Sequence, residues 1–340
     1  MPQRRRHRRS HVLALLTALP LATASLAAHA ADPAPAVVYS VGEKFDGSFN
    51  EAAFRGAERF KSETGIAYRD FVVTNEAQLE QAHRRFAQSG SDPIVGVGFL
   101  QTSAVTAVAR QFPKVRFTVI DTVVDLPNVR SVLFKEHEGS FLVGVAAALA
   151  SKSGTIGFVG GMDIPLIRKF VCGYAQGARY ARPGTTVIQN MTGNTPAAWT
   201  DPGRGAELAK GQFERGVDVI YAAAGTTGLG VLQAAKDRGK LAIGVDSNQN
   251  GVHPGSVLTS MVKRVDLATY ETFTAAKAGT WSAGVRVLGL KEGGVDWALD
   301  QNNAALITDA IKAKVEQAKA DIVSGKITVH DYMSSNSCPQ

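Results

Sequence analysis

Residues 217–246 read VDVIYAAAGTTGLGVLQAAKDRGKLAIGVD. Val217 to Ala223 and Leu241 to Asp246 are short runs rich in β-branched and apolar residues, and helix formers fill the stretch near 228–238 between them. Strand, helix, strand in that order predicts a parallel βαβ unit. The pattern extends upstream. Thr155 to Val159 and Thr186 to Met191 read as strands, with helices near 166–180 and 203–215, and Ser256 to Met261 closes the set as a fifth strand.

The first half of the chain has the same order. Strands are expected at Val37 to Ser40, Ile66 to Val73, Ile94 to Phe99, Val115 to Asp121 and Val129 to Phe134, with helices at 50–63, 76–90 and 101–112. The middle helix places Leu79, Ala82 and Phe86 at spacings of three and four, which makes one apolar face. Val119-Ile120-Asp121 and Gly244-Val245-Asp246 hold the same fourth-strand position, 125 residues apart (246 minus 121). The architecture repeats although the residues do not. The fold class is therefore α/β, in two lobes, each a parallel sheet flanked by helices. In open α/β sheets ligands bind beyond the carboxyl ends of the strands, so the cleft between lobes is the expected site and hinge closure the expected motion.

After Val262 a helix is expected over Asp266 to Gly279, strands over Val285 to Leu290 and Val295 to Leu299, and a helix over Asn303 to Ser324. The expected boundaries are a leader over 1–31, a first lobe of 32–150 with about 262–285, a second lobe of 151–261 with about 286–333, and a tail over 334–340.

The 340 residues carry a formal charge of +7, but Arg4, Arg5, Arg6, Arg8 and Arg9 all lie in the first ten. Without them 32 basic residues face 30 acidic ones, a balance with no polyanion-binding field, so nucleic acid is not an expected partner. This basic start, the apolar run from Val12 to Leu26 and the small residues Ala28-His29-Ala30 read as a cleaved signal peptide. The run is shorter than the roughly 20 residues a bilayer span needs. Export to a bacterial periplasm is expected. No Cys directly follows the run, so a lipoprotein anchor is not. Cys172 and Cys338 are the two cysteines; an oxidising compartment permits a bridge between them, and spacing does not decide whether it forms.

Catalytic signatures are missing: there is no phosphate-binding G-x-x-x-x-G-K-[ST] loop, no H-E-x-x-H and no G-x-S-x-G. His83, His137, His253 and His330 lack metal-ligand spacing and are expected at the surface or at helix ends. Gly225-Thr226-Thr227-Gly228-Leu229-Gly230 has the wrong spacing for a dinucleotide fingerprint. No enzyme activity, metal or cofactor is expected. Polar and aromatic residues do collect at strand ends: Phe45-Asp46-Gly47-Ser48-Phe49-Asn50 before the helix that carries Phe54, then Asp121, Asp246 and Trp199. Singly, Asp46 and Ser48 are ordinary helix caps and Trp199 an ordinary packing aromatic. Together, on the rim of two lobes, they describe a binding cleft.

These stretches resemble the basic membrane protein (BMP) family of ABC-transporter substrate-binding proteins, whose members include purine-nucleoside receptors. The resemblance runs over residues 36–333 through F-D-G-S-F-N (45–50), V-I-D (119–121), F-K-E-H-E-G-S-F-L-V-G (134–144), G-F-V-G-G-M-D (157–163), A-A-A-G-T-T-G-L-G-V (222–231), G-V-D-S-N-Q (244–249) and V-L-T-S-M-V-K (257–263). It implies a type I periplasmic-binding-protein fold with three hinge crossovers. It also implies Phe54 and Trp199 as the two faces of a base sandwich, and Asp46, Asn50 and Asp121 on the base edge, with Ser48 beside them. Asp246, Lys263 and the backbone N–H groups at Gly225 and Gly228 would hold the ribose. Where the family's loop reads G-G-T-G this chain has Gly225-Thr226-Thr227-Gly228. The implied function is capture of a purine nucleoside by a monomer and delivery to an ABC permease in the inner membrane. A free purine base or another small polar metabolite is the alternative within the fold, and a periplasmic nucleoside hydrolase the alternative outside it.

Overall fold

The computed structural model describes residues 1–3 and 32–339. The leader expected over 1–31 lies almost wholly outside the described residues. From Asp32 the chain runs β1 (Ala36–Val38), α1 (Phe49–Thr64), β2 (Arg69–Phe71), α2 (Gln78–Gln88), β3 (Ile94–Gly96), α3 (Thr102–Gln111), β4 (Phe117–Ile120) and β5 (Val129–Phe134). The repeat follows as α4 (Glu136–Ala150), β6 (Thr155–Met162), α5 (Pro165–Ala181), β7 (Thr186–Gly193), α6 (Pro202–Glu214), β8 (Val219–Ala223), α7 (Thr226–Asp237), β9 (Leu241–Asp246) and β10 (Val257–Lys263). Then come α8 (Val265–Lys277), β11 (Gly284–Leu288), β12 (Val295–Trp297) and α9 (Asp309–Val323).

Two six-stranded sheets result, ordered β11-β5-β4-β3-β1-β2 and β12-β10-β9-β8-β6-β7. Position by position the orders match, which is the repeat read from the sequence. Every pairing is parallel except β10 with β12. Strands of a parallel sheet are covered on both faces, which explains their continuous apolar runs. One face of the first sheet buries Val38, Leu79, Phe86, Val105 and Phe117 with α2 and α3. One face of the second buries Val159, Phe213, Val231 and Leu232 with α6 and α7. A third apolar cluster joins the lobes through α1, α4, α5, α8 and α9.

The sheets divide the chain differently from the expected boundaries in two places. The helix α4, expected in the first lobe, packs on the second: a Cβ at Gly139 would strike Met261 and Val295, and one at Gly144 would strike the backbone of Tyr174 in α5. The expected cut at 285/286 falls inside β11, which pairs with β5 in the first sheet along its whole length. The chain thus crosses between lobes three times: at Lys135, at Arg264 and over 289–294. These crossings are tied to one another, Lys135 N–H to Leu288 O at 2.9 Å and Arg264 N–H to Gly294 O at 2.8 Å. Strand ends also shifted. Only Arg69–Phe71 of the expected 66–73 strand pairs, and the last helix starts at Asp309 because Thr308 caps it, accepting from Ile311 N–H at 3.2 Å.

Cys172 and Cys338 form a disulfide that pins the tail onto α5, where His330 and Gln176 exchange hydrogen bonds of 2.9 and 3.0 Å. His83, expected at the surface or a helix end, is fully buried against Gln101 Oε1 at 2.8 Å, and burial lowers its pKa to about 4. Among the described residues no helix is long and apolar enough to cross a membrane.

Candidate functional site

The carboxyl ends of the two sheets face one another across a cavity of about 710 Å³ of empty space, its mouth included. Its polar floor is built from matched positions. Asp121 follows β4 with φ of 68°, and Asp246 ends β9 with φ of 61°. Both are left-handed, a conformation Asp tolerates better than most residues because its short polar side chain can bond locally. Asp121 and Lys263, at the end of β10, meet across the lobes with Nζ to Oδ2 at 2.6 Å. The ammonium also reaches Glu136 Oε1 at 2.9 Å, and Glu136 Oε2 takes Lys169 Nζ at 2.8 Å. The rings of Phe49, Phe134 and Phe170 surround the same ammonium with centroids 5.0, 5.1 and 5.8 Å away.

Burial and shared charge set the protonation of this group. Glu136, flanked by Lys263 and Lys169, is held down to about 2 despite its burial. Asp121 and Asp246 are pushed up to about 6, first by burial, which Lys263 offsets only in part, and further by the neighbouring carboxylates. Lys263 is held protonated by Asp121, Glu136 and Asp246 against the opposing effect of burial. The second carboxylate oxygen of Asp121, Oδ1, is buried without a hydrogen-bond partner.

Of the expected site residues, Asp46, Asn50, Asp121, Trp199, Gly225, Asp246 and Lys263 line the cavity. Two of these already have internal duties. Asp46 accepts from the N–H groups of Ser48, Asn50 and Glu51 at 2.8, 3.0 and 3.1 Å and so caps α1 from the preceding turn. Asn50 accepts from Ser40 N–H and donates to Ser40 O and Glu43 O, which spends its amide on holding the 40–43 loop.

Three expected residues are not in the lining. Ser48 is a bridge between lobes: its Oγ donates to Asp246 Oδ2 at 2.7 Å, and its carbonyl accepts from Ser247 Oγ at 2.8 Å. Gly228 lies inside the first turn of α7 and faces Ala222 on β8. Phe54 stands outside the cavity, half-buried, edge-on to Phe45 at 5.1 Å and beneath Lys44 Nζ at 4.5 Å. The aromatic that α1 sends into the cavity is Phe49, its first residue. Five residues along a helix turn the side chain through about 140°, so Phe49 and Phe54 cannot share a face. Phe49 stands in the quoted F-D-G-S-F-N motif, and helix phase was the signal that separates it from Phe54. Phe99, Phe170 and Glu43 also line the cavity, while Glu136 stands behind Lys263; their place depends on folding rather than on any local pattern. The loop departure is harmless: the positive φ of 56° falls on Gly225, and Thr226 is already helical.

Trp199 ends a short 3-10 turn over Pro196–Trp199. That turn is pinned at Ala198 O, which accepts from Thr192 Oγ1 and Thr227 Oγ1, each at 2.9 Å. The indole lies over Gly161 of β6.

Two hinged α/β lobes meeting at a cavity of aromatic and ionic side chains define a substrate-binding protein of the periplasmic type. Similarity to known proteins agrees. Residues 35–331 match the family described as ABC transporter substrate-binding protein PnrA-like, and the chain belongs to that Bmp family. It is 34% identical over 307 residues to the ABC transporter nucleoside-binding protein BmpA of Lactococcus lactis subsp. cremoris, covering 84% of this chain and 85% of the relative. An uncharacterized lipoprotein of Pyrococcus abyssi is 37% identical, with 78% and 69% covered. Among solved structures, an ABC transporter system solute-binding protein from Aeropyrum pernix superposes with a TM-score of 0.78 at 29% identity, over 87% of this chain and 92% of that one. Membership implies a small-molecule ligand and a permease partner.

Proposed function

We propose that the protein binds a purine nucleoside between its lobes, unaltered, and hands it to the permease of an importer in the inner membrane. The observation that carries this reading is the pairing in one cavity of Phe49 from the first lobe and Trp199 from the second with the carboxylates of Glu43, Asp46, Asp121 and Asp246. Aromatic faces suit a flat heterocycle, and stacking is worth roughly 1–3 kcal/mol per base. Ionised carboxylates accept hydrogen bonds and do not donate them, which suits ring N–H, exocyclic amino and ribose hydroxyl groups. The partnerless Oδ1 of Asp121 is one such acceptor. An excess of acids over Lys263 disfavours phosphorylated ligands. The name of the Lactococcus relative supports a nucleoside, and the apolar leader supports export.

Calorimetry and thermal shift with adenosine, guanosine, inosine and their free bases test the proposal. The nucleosides are expected to raise the melting temperature, since a ligand at a hundred times its Kd adds about 2.7 kcal/mol. A shift with bases alone would move the assignment to a nucleobase receptor. Ribose release from inosine would replace it with a hydrolase.

A further inference from the structure

We propose that Gly161 is a specificity-determining position that sets the width of the ligand slot by setting where Trp199 lies. Gly161 stands near the end of β6, and the six-membered ring of the Trp199 indole rests directly on its α-carbon. A Cβ built there overlaps Cζ3 and Cε3, far inside van der Waals contact distance, and lies 2.6 Å from Cη2. Real carbon pairs approach to about 3.5–4.0 Å, so any side chain at 161 must lift the ring off the strand.

The ring has little freedom to slide instead. Its backbone is fixed on one side by the two threonine hydroxyls at Ala198 O and on the other by Asp201 N–H donating to Thr227 Oγ1 at 2.8 Å. Gly225 lies beside it, where a Cβ would sit in ordinary contact, 3.4 Å from Trp199 O and 3.9 Å from Cε3. Trp199 lines the cavity and Gly161 does not, so a ring pushed off β6 moves into the space meant for ligand. The width of that space is therefore encoded by a hydrogen atom at 161. The backbone there does not need glycine for its own sake, because Gly161 is not among the positive-φ residues.

The inference rests on the nucleoside reading for its ligand but not for its geometry, and the experiment separates the two. Gly161→Ala, Trp199→Ala and the double variant are made in parallel, and again with Trp281→Phe and Trp297→Phe so that Trp199 is the sole emitter. Gly161→Ala is expected to shift Trp199 emission and to weaken adenosine binding about tenfold or more, the size of a lost stacking contact. Cytidine, with its smaller ring, is expected to lose less, so the adenosine-to-cytidine preference falls. In the Trp199→Ala background the same substitution is expected to change neither melting temperature nor affinity further. If Gly161→Ala folds poorly, deleting the indole is expected to restore its melting temperature.

The proposal is overturned if Gly161→Ala leaves emission and both affinities unchanged, or if its cost in melting temperature is the same with and without the indole. Should no nucleoside bind the parent protein, the emission shift and the thermal rescue still read the position of the ring, and only the nucleoside reading falls.

Discussion

Phe49 and Phe54 stand five residues apart on one helix, and their contrast makes the sharpest test at the residue scale. Phe49→Ala is expected to weaken adenosine binding by about tenfold, a typical loss for one stacking face, while Phe54→Ala changes it little; calorimetry on both variants checks this. Asp246 offers a test by pH. Its folded pKa of about 6 stands above its ordinary value of 3.8 because it is buried. A raised carboxyl contributes stability that is present below about pH 4 and is lost as pH rises through about 6. Asp246→Asn removes that loss and keeps an acceptor for Ser48 Oγ. The variant is therefore expected to gain in melting temperature over the parent at pH 7.5, and the gain should vanish near pH 4.

At the scale of elements, α4 and α5 cross so closely that glycines replace side chains at the contact. A Cβ at Gly177 would meet the backbone of Phe141, and one at Gly173 would come 2.7 Å from the α-carbon of His137. Because neither helix can retreat without opening the core around Leu142 and Tyr174, Gly177→Ala is expected to cost about 1–3 kcal/mol in chemical denaturation. This crossing also explains the boundary that sequence misplaced. Nothing in residues 136–150 marks them as belonging to the second lobe. The helix is apolar nearly all round, with 13 of its residues buried, so its hydrophobic pattern does not point toward one partner.

The whole molecule is held closed by a clasp between lobes. Besides the bonds of Ser48, Gln249 Nε2 donates to Gly47 O at 3.1 Å, and its Oε1 is itself fixed by Val245 N–H at 2.9 Å. Opening the cleft is expected to break the bonds that Ser48 and Gln249 make between the lobes. Ser247→Ala with Gln249→Ala is expected to speed ligand release about tenfold in stopped-flow traces and to change the association rate little, because the clasp forms after capture. Where the tail is pinned to α5, replacing Cys172 and Cys338 by Ser is expected to lower unfolding free energy by about 2–4 kcal/mol.

The order of strands and helices, the internal repeat and the strand-end acids Asp121 and Asp246 could be read from sequence alone, since periodicity and strand-end position are local properties of the chain. Trp199 was pointed to by the family resemblance. What tertiary structure decided is which groups share a space. The rotation of α1 brought Phe49 inward and left Phe54 outside, and closure of the lobes turned Ser48 from a ligand contact into a clasp. Folding of the second lobe between two hinge crossings, at Lys135 and Arg264, carried Glu136 to Lys263, 127 residues away along the sequence (263 minus 136), and the disulfide closed only when the tail lay on α5. Which face of a helix turns inward, and which distant residues meet, depend on every packed surface at once, and no short stretch of residues encodes either.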